Sequence, residues 1–282
     1  MIRVGRYEVA SVVGGYDRLD GGAMFGVVPK LLWEKSEDVD EQNRIRMALR
    51  VLVLVDKVDR RVILVDAGAG SKWRPEEAAR FAIEERREAV PEALGGFGLS
   101  EGDVTDLVLT HLHFDHCGGA LDWTDDSRRE TKPRFPSAAV WVHRAQWEHA
   151  HRPSVKDRAS YLVRDFADLE RSGRLRIVDG EAPSSPFPGI RWFVSNGHTP
   201  GQLLPLVEDG RAPLLFAGDM MPSASHLGLA WVMAYDLHPM TTIAEKERVF
   251  SMCQEEGLRV AFCHDRNAGG ISIEFSGDKP RV

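Results

Sequence analysis

The stretch THLHFDHCGG, residues 110–119, sets three histidines and an aspartate within six residues and follows them with two glycines. Imidazole nitrogen and carboxylate oxygen at this density form a donor set for Zn²⁺ or a similar divalent ion, which takes them at about 2.0–2.2 Å. The preceding VTDLVLT has the short apolar pattern of a buried strand. His111 and His113, two residues apart in extended backbone, therefore project to one side and can share an ion. Asp115 and His116 follow one turn later and can face a neighbouring point. Gly118 and Gly119 let the backbone turn tightly beneath the cluster.

Three further donors sit directly after apolar runs: His198 in NGHTPGQ, Asp219 in LLFAGD and His264 in VAFCHD. Strand ends are where scaffolds of sheets and helices place their site residues, and four such ends all deliver metal-binding types. Of the three cysteines, Cys117 and Cys263 flank candidate ligands and read as packing beside the site, while Cys253 reads as a small buried apolar residue. His143, His149 and His151 fall on or near an expected helix and read as surface or packing residues.

The elements that must hold these donors are legible in outline. RYEVASVV is β-rich, and MALRVLVLVDKVDRRVILVDAG reads as a hairpin closed over DKVDR. PEEAARFAIEERREAV has helix-forming composition, with Pro75 at its start and Gly95, Gly96 and Gly98 beyond its end. AAVWVHRAQWEHA reads as a strand running into a helix, and VKDRASYLVRDFADLERSG as a helix. RLRIVDG, IRWFVSN, LLPLVED and APLLFAGD read as strands, residues 242–256 as a last helix and LRVAFCHD as a last strand. No linker or low-complexity segment interrupts this order, so residues 1–282 are expected to form a single domain.

Composition excludes several function classes. Hydrophobic residues make up 43% and charged residues 28% of the chain, which is ordinary for a folded globular protein. The net charge of -7, from 36 basic and 43 acidic residues, has the wrong sign for a surface that holds phosphate backbones, so no nucleic-acid partner is expected. No apolar run of about 18 residues is present, and the N-terminus lacks a signal-peptide pattern, so a soluble cytoplasmic protein with no membrane partner is expected. The three scattered cysteines do not make a disulfide framework.

HLHFDH, GHTPG, the GD at residues 218–219 and the final CHD resemble, in order and spacing, the HxHxDH, His, Asp, His pattern of the metallo-β-lactamase superfamily. The resemblance spans nearly the whole chain. It implies an α+β four-layer αββα sandwich with metals at one edge of two packed sheets. It assigns His111, His113 and His198 to a first metal, and Asp115, His116 and His264 to a second, with Asp219 bridging. Seven such ligands suit a pair of divalent ions, Zn²⁺ first and Fe or Mn as alternatives, that share a hydroxide able to attack a substrate at neutral pH. The implied activity is hydrolysis, with Asp115 also placed to relay a proton to the leaving group.

Departures narrow the branch. Asp219 stands where the true β-lactamases have Cys or Ser. His113 stands where flavodiiron relatives have Glu. The sequence ends soon after His264, where glyoxalase II relatives carry a glutathione-binding extension. GDMMPSASHLGLAWVMAYDLHPMTTIAEKERVF is similar to the corresponding region of the lactonase and methyl-parathion-hydrolase-like branch. The implied substrate is a small ester or lactone; a phosphotriester, or persulfide oxidation at a single iron, is the alternative.

Acyl-homoserine lactonases place a tyrosine three residues after the bridging aspartate, but Pro222 stands there in this chain, so the substrate carbonyl is expected to be polarised by the metal alone or by another group, with His226 and Tyr235 as the candidates. Residues 20–34, DGGAMFGVVPKLLWE, form a candidate flap that brings Met24 and Phe25 to the substrate, and an exposed apolar flap would also favour a homodimer.

Overall fold

The structure is a computed structural model, and it describes residues 1–210, 212–267, 271–272, 274–276 and 279–281. In the first sheet, β1 (Ile2–Val4), β2 (Tyr7–Asp20), β3 (Arg44–Asp56) and β4 (Arg61–Val65) are antiparallel neighbours. The strands Asp106–Val108, Ala139–His143 and Leu175–Val178 continue it in parallel. The β3–β4 hairpin closes with Asp56 opposite Arg61, as the DKVDR turn predicts. The second sheet runs Ile190–Ser195, Gln202–Val207, Leu214–Phe216, Arg259–Ala261 and Ile271–Ser272.

Side-chain alternation along the strands builds the layers. Successive residues of a strand face opposite sides. On β3, Val51, Val53 and Val55 pack outward onto Val90 and Leu94 of helix α4 (Ala89–Gly95), whereas Leu52 and Leu54 pack inward with Ile190, Leu203 and Leu214 of the second sheet. On the second sheet Leu203 and Val207 face that middle layer, while Leu204 and Leu206 face Val249, Phe250 and Cys253 of helix α7 (Pro239–Glu256). Three apolar layers between helix, sheet, sheet and helix make the αββα sandwich, each buried Leu or Val contributing roughly 1.5–3 kcal/mol of apolar burial. No helix among the described residues is long and apolar enough to cross a membrane.

The structure departs from the sequence reading in three places. PEEAARFAIEERREAV is not one helix: α3 (Pro75–Phe81) stops at Ala82, which adopts φ 47°, and Glu84–Glu85 pairs with Gly15 and Tyr16 of β2 before α4 begins. Residues 155–173 form three 3-10 turns in place of a helix, Arg158–Ser160, Val163–Asp165 and Ala167–Leu169. Tertiary partners override helix propensity there. Asp157 binds His149 of helix α6 (Arg144–His151) at 2.6 Å, the Tyr161 hydroxyl bonds Gln146 and Thr199, and Asp165 pairs with Lys72. The candidate flap is two short helices, α1 (Gly21–Phe25) and α2 (Lys30–Trp33), with the Asp20 side chain capping the Ala23 amide at 2.8 Å. It presents Val27, Leu31 and Leu32 to solvent.

Candidate metal centre

Every candidate ligand lies at the end of a strand along one edge of the sandwich. His111 and His113 follow strand Asp106–Val108, and Asp115 and His116 sit on the single turn α5 (Phe114–Cys117). His198 lies between strands Ile190–Ser195 and Gln202–Val207. Asp219 follows Leu214–Phe216 on a 3-10 turn, and His264 follows Arg259–Ala261. The glycines after α5 act differently from the sequence expectation. Neither adopts a left-handed backbone; instead the chain packs backbone to backbone, so that a Cβ on Gly118 would lie 2.2 Å from the Ala69 carbonyl and one on Gly119 2.1 Å from that of Ala67.

Two groups of donor atoms converge. In the first, His113 Nδ1 lies 3.0 Å from His111 Nε2 and 3.1 Å from His198 Nε2, and Asp219 Oδ2 lies 3.3 Å from His198 Nε2. In the second, Asp219 Oδ1 lies 3.1 Å from His116 Nε2 and 3.2 Å from His264 Nε2. Asp115 Oδ2 joins that group at 3.6 and 3.5 Å from the same two nitrogens. Asp219 thus turns one oxygen to each group. The Cys263 thiol donates to Asp219 Oδ1 at 3.2 Å, whereas the Cys117 thiol bonds the Leu112 carbonyl.

Acceptors behind the imidazoles fix which nitrogen points inward. His116 Nδ1 donates to Asp66 Oδ2 at 2.8 Å, His198 Nδ1 to Asp236 Oδ1 at 3.0 Å, and His264 Nδ1 to the Ala48 carbonyl at 2.9 Å. Each leaves the Nε2 lone pair directed at the donor group, the arrangement that metal-ligating histidines use. The Asp219 amide donates to Gln202 Oε1 at 2.7 Å, which sets the turn that aims its carboxylate. Gly218, at φ 48°, makes that turn possible: a Cβ there would lie 2.5 Å from the same Gln202 oxygen.

The site fits divalent ions on its own chemistry. The imidazole nitrogens of the first group crowd at hydrogen-bond distance, yet His113 Nδ1 cannot serve both neighbours with one proton. The buried His116 Nε2 has no hydrogen-bond partner. Burial, reinforced by neighbouring imidazoles, holds His111 and His113 well below the usual imidazole range, so both are neutral donors. Burial opposes ionisation of Asp219, but His116, His264 and His198 keep its carboxyl well below the usual carboxylate range. Although burial opposes it, Asp219 and Asp115 pull His116 up and His264 up to about 10, and Asp219 and Asp236 pull His198 up, so these three carry positive charge that a divalent cation would replace. Imidazole nitrogens gathered around an ionised carboxylate suit Zn²⁺.

A pocket of about 240 Å³ opens over the centre. His113, Asp115, His198, Asp219 and His264 reach it, and Leu19, Met24, Met47, Phe81, Phe114 and Tyr235 give it a largely apolar wall. Of the four residues expected at substrate, Met24 and Tyr235 line this pocket. Phe25 and His226 do not. Phe25 is fully buried, stacked 4.6 Å from the His226 ring and 5.1 Å from Trp33, because the short helix α1 turns it into the apolar cluster behind the wall. His226 is occupied by Ser223 Oγ at 2.8 Å and the Met24 carbonyl at 2.9 Å.

Sequence reasoning missed the residues behind the ligands. Asp66 ends an apolar strand in VILVDAGAG, a placement that does signal a site. Asp236, in MAYDLHP, carries no such mark. Lys246, on the buried face of α7, donates to the carbonyls of His226, Gly228 and Trp231 at 2.7, 2.5 and 3.1 Å and so gathers the loop that delivers Tyr235.

The family model of the metallo-beta-lactamase superfamily matches residues 51–264. A probable metallo-hydrolase of Mycobacterium bovis is 28% identical over 193 residues, 63% of this chain, and the chain spans 58% of that protein's length. The N-acyl homoserine lactonase AttM of Azorhizobium caulinodans is 26% identical over 180 residues, covering 61% of this chain and 62% of that protein. Among solved structures, a probable metal-dependent hydrolase from Staphylococcus aureus superposes with a TM-score of 0.87 and 27% identity, covering 100% of this chain and 97% of the other. With its sandwich, its two donor groups and this match over most of its length, the chain belongs to the metallo-beta-lactamase superfamily.

Proposed function

We propose that this protein is a dinuclear metal-dependent hydrolase of small esters or lactones bearing an apolar arm. The observation that carries the reading is Asp219, whose two oxygens face two separate donor groups. His111, His113, His198 and Asp219 Oδ2 would hold one ion; Asp115, His116, His264 and Asp219 Oδ1 would hold the other, with Zn²⁺ favoured by the nitrogen and oxygen donor set. When bound, such a pair supplies a nucleophile from coordinated water at neutral pH and polarises the substrate oxygen.

The chain's own groups do the rest. The apolar wall binds the arm of the substrate and excludes water from the centre. Burial, with Asp20, Asp17 and Asp115 adding to it, pushes the Tyr235 phenol up to about 12, so it remains a proton donor and, from the pocket lining, would stabilise negative charge developing on the substrate carbonyl. Asp115, which lines the pocket, would carry a proton to the leaving alcohol. The likeness to a lactonase supports a cyclic ester as substrate.

The test compares kcat/KM of the zinc-loaded protein on an alkyl-substituted γ-lactone, an aryl ester and a dimethyl aryl phosphotriester. Lactone or ester turnover should dominate, and Asp219→Ala should lower it by about a thousandfold, as expected when several kcal/mol of charge stabilisation are removed. Tyr235→Phe should lower kcat with metal content unchanged. Dominant phosphotriester turnover would overturn the substrate class, and persulfide oxidation with one iron per chain would overturn the reading itself.

A further inference from the structure

Asp17 is a fully buried carboxylate on β2, and neither of its oxygens has a hydrogen-bond partner. A buried carboxylate without a hydrogen bond or a cation is expensive to hold ionised, so such a group calls for a partner. Three facts of placement say where that partner lies. Asp17 shares its sheet face with Leu19, two residues along the strand, and Leu19 lines the pocket over the metal centre. Directly across on β3 it pairs with Met47, another wall residue of that pocket, and the next residue, Ala48, accepts the Nδ1 proton of His264. The groups whose charge acts on it most strongly are Asp115, His264, His116 and Asp219, which are the donors of the second group; no lysine or arginine is among them.

We propose that Asp17 is a further anionic residue of the metal centre, paired by the cation held at Asp115, His116 and His264 and strengthening that half-site over the His111, His113, His198 half. This rests on the two-ion reading above and extends it by an eighth residue. Asp115 and Asp219 already serve that half-site, so a third, buried carboxyl group beside them is costly to ionise until a cation arrives, and Asp17 opposes the metal-free fold and favours the loaded one. A merely structural aspartate would do the reverse.

The experiment titrates metal-free protein with Co²⁺, following visible d–d absorption with a competing chelator, in the parent, Asp17→Asn and Asp17→Ser. Thermal midpoints of the metal-free proteins are measured alongside. The first equivalent should bind equally in all three, and the second should bind at least about tenfold more weakly in both variants. Metal-free Asp17→Asn should melt no lower than the parent. Unchanged binding of both equivalents overturns the role of Asp17. So does a lower metal-free midpoint with unchanged cobalt binding, or failure of both variants to fold, each of which marks Asp17 as structural. A parent that binds only one equivalent overturns the two-ion reading itself, a separate result.

Discussion

Asp66 and His116 are joined by a 2.8 Å hydrogen bond from Nδ1 to Oδ2 deep in the protein, and Thr110 donates to the same carboxylate through its amide at 2.8 Å and its hydroxyl at 3.0 Å. Asp66 makes these contacts from a left-handed backbone, φ 61°, which costs a non-glycine residue about 1–2 kcal/mol. A residue kept in that conformation at the end of β4 is there for its contacts. Asp66→Ala frees the His116 ring to turn and should weaken metal binding at the second half-site by about 10–100-fold. Chelator competition checks this; an unchanged affinity would show that packing alone orients the ring.

Lys72 lies behind the same loop. It is buried against Asp165 at 3.2 Å and donates to the carbonyls of Gly118 and Leu121, just past the His and Asp cluster. Removing one partner of a buried pair leaves the other charge uncompensated, so Lys72→Met should cost about 3–5 kcal/mol in denaturant unfolding. Lys72→Met with Asp165→Leu should recover part of that loss. A single variant as stable as the parent would mean that solvent reaches Asp165.

His226 sets a stability response to pH. The Met24 carbonyl can only accept, so Nε2 carries the proton and Nδ1 accepts from Ser223. Burial pushes this imidazole down to about 4, against the pull of the Met24 carbonyl. An unfolded histidine titrates near 6.5, so between about pH 6.5 and 4 the unfolded chain binds more protons and the fold loses stability as pH falls. The stability is fully present above that window, and the loss reaches about 3 kcal/mol at its lower end. Unfolding midpoints of parent and His226→Gln should converge on acidification; parallel pH profiles would contradict the neutral, buried ring.

The candidate ligands that the fold brings together were legible in the sequence because each combines a metal-binding type with a strand end, and strand ends follow from short apolar runs. The middle of the sandwich was legible for the same reason, in the alternation of β3 and β4. What escaped were features decided by distant partners. Asp17 and Asp236 look like ordinary polar residues until β2 lies beside β3 and the loop before α7 folds back on His198. The stretch at 155–173 has helical composition, but bonds from Asp157, Tyr161 and Asp165 to other elements break it into turns. Phe25 and His226 were expected at substrate, but neither lines the pocket over the centre, and Phe25 stacks on the His226 ring behind its wall.

The most direct test of the account is turnover of an alkyl-substituted γ-lactone by metal-free protein during stepwise addition of Zn²⁺. Asp219 faces two donor groups, so the account predicts little turnover at one equivalent, a steep rise towards two and no such rise in Asp219→Ala. Full turnover at a single equivalent, or lactone hydrolysis that persists in Asp219→Ala, would contradict it.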